Sequence, residues 1–252
     1  MEILFIFIFG LAIGSFLNVV ICRFAEGGSI VLDRSRCPKC AHTLSWYELV
    51  PVASFVIQRA RCRACGEKIS WQYPLVELAT ALLFVYIYDF LPAYYHGWEM
   101  AYLFFVWASL LVLFVFDLKH YIIPNKVLYP LTLVVAAHVF YGSGFMATPY
   151  AIVSALGASG FFLALYCVSR GRWIGFGDVK FGIFMGLFLG FPLILVALLF
   201  SYFVGALVGS IMLIRHFKTL QSEIPFGPFL VLGTFIAYFY GSGIIQWYLN
   251  IF

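Results

Sequence analysis

Polar residues are sparse along this chain, and they arrive in short clusters between long apolar stretches. The apolar runs occupy 3–22, 74–91, 99–117, 127–141, 148–169, 178–190, 193–214 and 228–250. A helix needs roughly 17 to 25 residues to cross about 30 Å of hydrocarbon, and most of these runs have that length. Those at 127–141 and 178–190 are short. The second of them is separated from its successor only by Gly190-Phe191-Pro192, a break that predicts a helical hairpin. The pattern predicts an all-α polytopic membrane protein with about eight transmembrane helices. One sizeable polar segment, residues 23–73, lies between the first helix and the second.

Composition fixes the solvent. Hydrophobic residues make up 64% of the 252 and charged residues only 10%, so the apolar surface is far too large to bury away from water and is suited to lipid. The first run lacks the positive start of a secretory signal and is followed by Arg23, which suits a retained helix. Lys and Arg accumulate in loops that stay in the cytoplasm. With the N-terminus outside, eight crossings place Arg23, Arg34, Arg36, Lys39, Arg59, Arg61, Arg63 and Lys68 on the inner side before the second helix. The same topology places Lys119, Lys126, Arg170, Arg172, Lys180, Arg215 and Lys218 there too, which accounts for all fifteen basic residues. The net charge of +4 therefore reports orientation and gives no support to nucleic-acid binding.

The polar segment holds Cys37-x-x-Cys40 and Cys62-x-x-Cys65, with twenty-one residues between the pairs. That is just beyond the usual zinc-ribbon spacing of about 15 to 20. The phrases "CPKCAHTLSW" and "CRACGEKISW" repeat one pattern at an offset of 25 residues, so the segment reads as a duplicated knuckle. Two thiolates from each knuckle suit a tetrahedral Zn²⁺, which can fold a segment too small for a core of its own. Two disulfides or four idle thiols are the alternatives, and a reducing cytoplasm disfavours the first. His42 is a spare ligand that four cysteines make unnecessary. Cys22 and Cys167 lie in apolar runs and read as buried small apolar residues.

Of four aspartates, Asp33 lies in the polar segment and Asp89 at the outer end of the second helix, whereas Asp117 and Asp178 lie at the inner ends of hydrophobic stretches. The two stretches are "LFVFDLKHYIIPN" and "GFGDVKFGIF"; each carries Asp-x-Lys beside a helix breaker, Pro124 or the Gly175/Gly177 turn. The topology puts both carboxylates at one depth on one side. An acid near hydrocarbon is costly and marks a candidate site, and two that converge could share a proton as acid and base, the logic of aspartic proteases. The glycines would give room for close approach. The competing reading is that each Asp marks the membrane boundary while Lys119 and Lys180 snorkel to the headgroups. In a reading from another class, the acids line an ion path in a metal-binding membrane transporter or scaffold.

The motifs resemble, from end to end, those of bacterial type IV prepilin peptidases, intramembrane aspartyl proteases of the GxGD class. The resemblance rests on "GSFLNVVICR", "RSRCPKC", "RCRACGEKISWQYPLVEL", "FDLKHYIIPN", "GFGDVK" and "PFGPFL", in that order. It implies that Asp117 and Asp178 are the catalytic pair and that Cys37, Cys40, Cys62 and Cys65 bind metal. It implies three parts: 1–22, a first transmembrane helix; 23–73, a cytoplasmic zinc-binding segment; and 74–252, a membrane protease domain of about seven helices. The substrates would be type IV prepilins or type II secretion pseudopilins, cut after a glycine at the cytoplasmic face of the bacterial inner membrane. The resemblance also implies N-methylation of the new N-terminal residue, often phenylalanine, with S-adenosylmethionine as donor; no glycine-rich cofactor motif marks a site for it. Glu77 is a candidate for methyl transfer and Glu223 for receiving a basic leader, and each reads equally well as an interfacial or solvated charge. Two departures from the family pattern stand out: "IPN" for the usual IPD, and Phe176 where methionine is common.

Overall fold

Hydrocarbon offers no water to satisfy backbone amides and carbonyls, so a chain this apolar has to satisfy them within helices. A computed structural model, which describes residues 1–26, 33–91, 97–142, 148–214 and 224–251, has that architecture. Its helices are α1 (Glu2–Glu26), α2 (Ala53–Ile57), α3 (Gln72–Phe90), α4 (Trp98–His120), α5 (Asn125–Tyr141), α6 (Thr148–Ser169), α7 (Phe176–Leu189), α8 (Leu193–Ile214) and α9 (Gly227–Leu249). Every apolar run of the sequence is a helix, and α2 is a single extra turn inside the polar segment. Among the described residues the only β-pairing is two isolated bridges. Six helices are long and apolar enough to cross a membrane: α1, α3, α4, α6, α8 and α9. The two short ones, α5 with 17 residues and α7 with 14, pack against each other. Glu223, Arg215 and Lys218 lie outside the described residues.

The chain divides into two compact units, Met1–Val112 and Leu113–Phe252, with the division inside α4. In the first unit α1 packs along α3 through glycines one turn apart. A Cβ at Gly10 would stand 2.6 Å from the Ala81 Cα, and one at Gly14 would stand 2.6 Å from the Glu77 Cα, so two backbones meet where any side chain would separate them. A polar cluster lies in the same seam. Buried Asn18 donates to the Gly14 carbonyl at 3.3 Å and the Tyr73 carbonyl at 3.1 Å, and its Oδ1 accepts from Gln72 Nε2 at 3.2 Å. Glu77 Oε2 accepts the Val52 N–H at 2.8 Å. That bond ties the turn of the polar segment where Val52 takes a φ of 58° to the start of α3.

The second unit repeats the device. On α7, Gly182 and Gly186 face α6, where a Cβ at Gly182 would stand 2.8 Å from the Phe162 ring and one at Gly186 would collide with the Ala155 backbone. α8 and α9 close in the same way at Gly233, which leaves no room for a side chain against Ser201 and Ala197. Between α7 and α8 the hairpin falls where the sequence predicts it, with Gly190 at a φ of 67°. The two membrane cysteines differ from expectation. Cys22 is half-buried, its Sγ 3.6 Å from the Tyr73 hydroxyl, and Cys167 lies on an exposed face of α6. Neither is a core residue, because in lipid an outward face is as apolar as an inward one.

Candidate active site

The four aspartates separate by burial. Asp33 and Asp89 are exposed, whereas Asp117 and Asp178 are 4% and 6% exposed. Both buried acids belong to the second unit, and their carboxylates lie within electrostatic reach of each other. Asp117 comes from the last turn of α4 and Asp178 from the first turn of α7.

Local backbone fixes each carboxylate. Gly175 precedes α7 in an extended conformation, φ −79° and ψ 155°, and its N–H donates to Asp178 Oδ2 at 3.0 Å. A helix start leaves amides without partners, and an acid three residues on from the N-cap reaches back to one of them, as in half of a capping box. Asp117 meets the start of a different helix. The N–H of Gly227, the first residue of α9, donates to Asp117 Oδ2 at 2.9 Å in a buried bond. Pro228 follows, has no N–H to compete, and presets the first turn. The positive end of α9 therefore points at one acid and the start of α7 holds the other. Gly177 has a steric part: a Cβ there would press to 3.2 Å from the Ile123 Cβ.

Neither lysine pairs with its neighbouring acid. Lys180 accepts no role in the Asp178 contacts; its Nζ donates to Asn125 Oδ1 at 3.0 Å and lies over the Tyr129 and Phe176 rings at 5.4 and 5.2 Å. The two residues that depart from the usual family motifs, Asn125 and Phe176, are thus both partners of this cation. The sequence reading missed Gly227 as a partner of Asp117. "PFGPFL" stood out as a motif, but a backbone donor has no side-chain signature. It also missed Tyr202 on α8, whose ring lies 5.1 Å from that of Phe226, beside Gly227.

The second cluster lies in the first unit. The Sγ atoms of Cys37, Cys40, Cys62 and Cys65 all fall within 4.8 Å of one another, and all six cysteines are free thiols. A tetrahedral ion with Zn–S bonds of about 2.3 Å would set its sulfurs about 3.8 Å apart; Cys37 Sγ and Cys65 Sγ are separated by 3.9 Å. The donor set fits a thiolate-bound metal. The knuckles are the same structure twice. The Cys37 N–H donates to the His42 carbonyl at 2.9 Å and the Cys62 N–H to the Glu67 carbonyl at 2.8 Å. Matching bonds close each turn, from Ala41 to the Cys37 carbonyl at 3.0 Å and from Gly66 to the Cys62 carbonyl at 2.9 Å. An ion pair between Lys39 and Glu67 links the two turns, raising the pKa of the first and lowering that of the second. Backbone amides of Cys40 and Lys39 bring the Cys37 thiol down to about 7. Cys65 accepts an amide bond at Glu67 that acts in the same sense, but burial and the three neighbouring sulfurs push it up to about 12. His42 stays outside the sulfur cluster, with its Nε2 3.5 Å from Glu48 Oε2.

A polytopic helical protein with two buried acids brought together at helix ends, and a four-cysteine cluster in its polar segment, defines a class of multi-pass membrane protein. Comparison with known proteins narrows the class. The Bacterial Peptidase A24 N-terminal domain matches residues 8–90, and the Type IV leader peptidase family matches residues 103–210. A prepilin leader peptidase/N-methyltransferase of Bacillus subtilis is 33% identical over 97% of this chain and 97% of its own length. Proteins of the same name from Aeromonas hydrophila and Pseudomonas aeruginosa are 34% and 30% identical, over 98% and 96% of this chain and 93% and 91% of theirs. The chain belongs to the type IV leader peptidase family. No solved structure matches it significantly.

Proposed function

We propose that this protein removes the short basic leader from type IV prepilins and related pseudopilins, with Asp117 and Asp178 as its catalytic pair. The observation that carries the reading is the convergence of the only two buried aspartates among the described residues, each held through Oδ2 by one backbone amide. That arrangement leaves Oδ1 of both carboxylates for water and substrate. The prepilin's apolar N-terminal helix enters from the bilayer, and its leader lies at the cytoplasmic face of the inner membrane, a reading supported by the clustering of lysines and arginines in the segments next to both acids. One proton is shared between the acids. The ionised carboxylate takes a proton from water as its oxygen attacks the carbonyl of the residue before the cut, and the protonated one gives its proton to that carbonyl oxygen. The tetrahedral intermediate collapses when the C–N bond breaks and the leaving amine takes a proton back from the pair.

The relatives' shared name includes N-methyltransferase, and on that support the new N-terminal amine is methylated with S-adenosylmethionine as donor. Zn²⁺ held by Cys37, Cys40, Cys62 and Cys65 is assigned a structural part, holding the two knuckles of the cytoplasmic segment together. The parts of the chain follow as a first transmembrane helix over 1–22, the metal-binding segment over 23–73 and the protease domain over 74–252. Incubating the detergent-solubilised protein with a prepilin tests the reading. A product shortened by the leader is expected by mass spectrometry, together with incorporation of label from S-adenosylmethionine. An unchanged prepilin counts against the peptidase, and a shortened but unlabelled product against the methyltransferase alone.

A further inference from the structure

Tyr202 presents a problem that the dyad does not explain. Its hydroxyl oxygen is buried within the protein and has no hydrogen-bond partner, although a buried hydroxyl normally finds one. The ring is held firmly. It stacks with Phe162 at 6.5 Å, meets Phe161 edge-on at 6.0 Å, and lies against Phe226 at 5.1 Å. Those neighbours tie it to both halves of the site: Phe226 precedes the Gly227 amide that holds Asp117, and Phe162 lies against Gly182, one turn along α7 from Asp178. Its hydroxyl is also within electrostatic reach of the Asp178 carboxylate, yet the two make no hydrogen bond.

We propose that the Tyr202 hydroxyl is a third catalytic group, which donates a hydrogen bond to the scissile carbonyl oxygen. The proposal rests on the dyad reading above. A fixed donor without a partner in the free protein loses nothing on meeting that oxygen, and its bond strengthens as the oxygen gains negative charge. The water proton still goes to the ionised aspartate and the carbonyl oxygen still receives its proton from the other acid. Tyr202 keeps its own proton throughout. It polarises the carbonyl toward attack and holds the oxygen until the C–N bond breaks.

Tyr202→Phe removes one oxygen and keeps the ring stack, so the test separates catalysis from packing. Cleavage of a prepilin by this variant is measured beside wild type and Asp178→Asn, with the thermal midpoint of each protein. The expected result is a kcat lower by roughly 100-fold with KM little changed, and a midpoint equal to or above wild type, since an unsatisfied hydroxyl contributes nothing to stability. A kcat within about twofold of wild type overturns the proposal, because the loss of one transition-state donor costs far more. A fall in kcat accompanied by a clear fall in midpoint also overturns it, because the hydroxyl would then have a structural partner. Full cleavage by Asp178→Asn is a separate failure: it removes the dyad and the role given to Tyr202 with it.

Discussion

A Cβ placed on Gly227 would stand 2.6 Å from Asp117 Oδ2, closer than carbon and oxygen approach without repulsion. The same atom placed on Gly175 would stand 3.7 Å from Asp178 Oδ2, an ordinary contact, on a backbone whose φ of −79° suits any residue. Two glycines that each donate one amide to one carboxylate of the proposed pair thus differ in what they tolerate. Gly227→Ala should lower kcat/KM for prepilin cleavage by about 100-fold, the scale expected when a reacting group is displaced by around 1 Å. Gly175→Ala should stay within a few-fold. Equal losses in the two variants would show that the amides do not position the acids as described. Asp178 and its capping amide were legible in the sequence, since an acid three residues after a glycine at a helix start is a local pattern. The Gly227 bond was not, because it joins a backbone N–H to an acid 110 positions away in the chain.

At the scale of elements, the duplicated knuckle was readable because both copies carry the same residues at the same offset, and a shared sequence makes shared turns. The copies differ at one strained position. Gly66 has a φ of 72°, and in the other knuckle Ala41 has a φ of 56°, which an L side chain adopts at a cost of about 1–2 kcal/mol. Ala41→Gly should therefore raise resistance of the metal-loaded segment to chelator, and Gly66→Ala should lower it. The opposite order in a chelator titration would contradict the matched-turn account. Helix pairing was less legible. These helices are apolar all round, so no hydrophobic stripe marks the packing face as it would in water, and only the small residues do. Gly182 and Gly186 mark that face on α7, which carries Asp178 at its start. Gly186→Leu should destabilise the α6–α7 pair by about 1–3 kcal/mol and reduce cleavage, although Gly186 lies two turns from the acid. Unimpaired stability in a thermal scan would mean that the notch does not hold α7.

For the whole molecule, the chain's charges carry the largest piece of legible information. An eight-helix topology with the N-terminus outside, as the sequence predicts, would put all fifteen lysines and arginines on one side, and the eight apolar runs that define it are all helices. The same count put Asp117 and Asp178 at one depth, and the structure brings them together. It could not separate a full crossing from a short helix: α5 and α7, with 17 and 14 residues, extend only about 25 and 21 Å at 1.5 Å per residue. Asp178 is buried although Gly175 and Phe176 beside it at the start of α7 are exposed, so its enclosure comes from the helices packed against α7. Sequence hydropathy sees each segment alone and carries no trace of that enclosure. Whether Asp117 and Asp178 together cut the leader is decided by the cleavage rate of a prepilin with Asp117→Asn and with Asp178→Asn, each confirmed folded by its thermal midpoint. Both rates should fall to background while both midpoints stay near wild type; a folded variant of either kind that still releases the leader at the wild-type rate would rule the pair out.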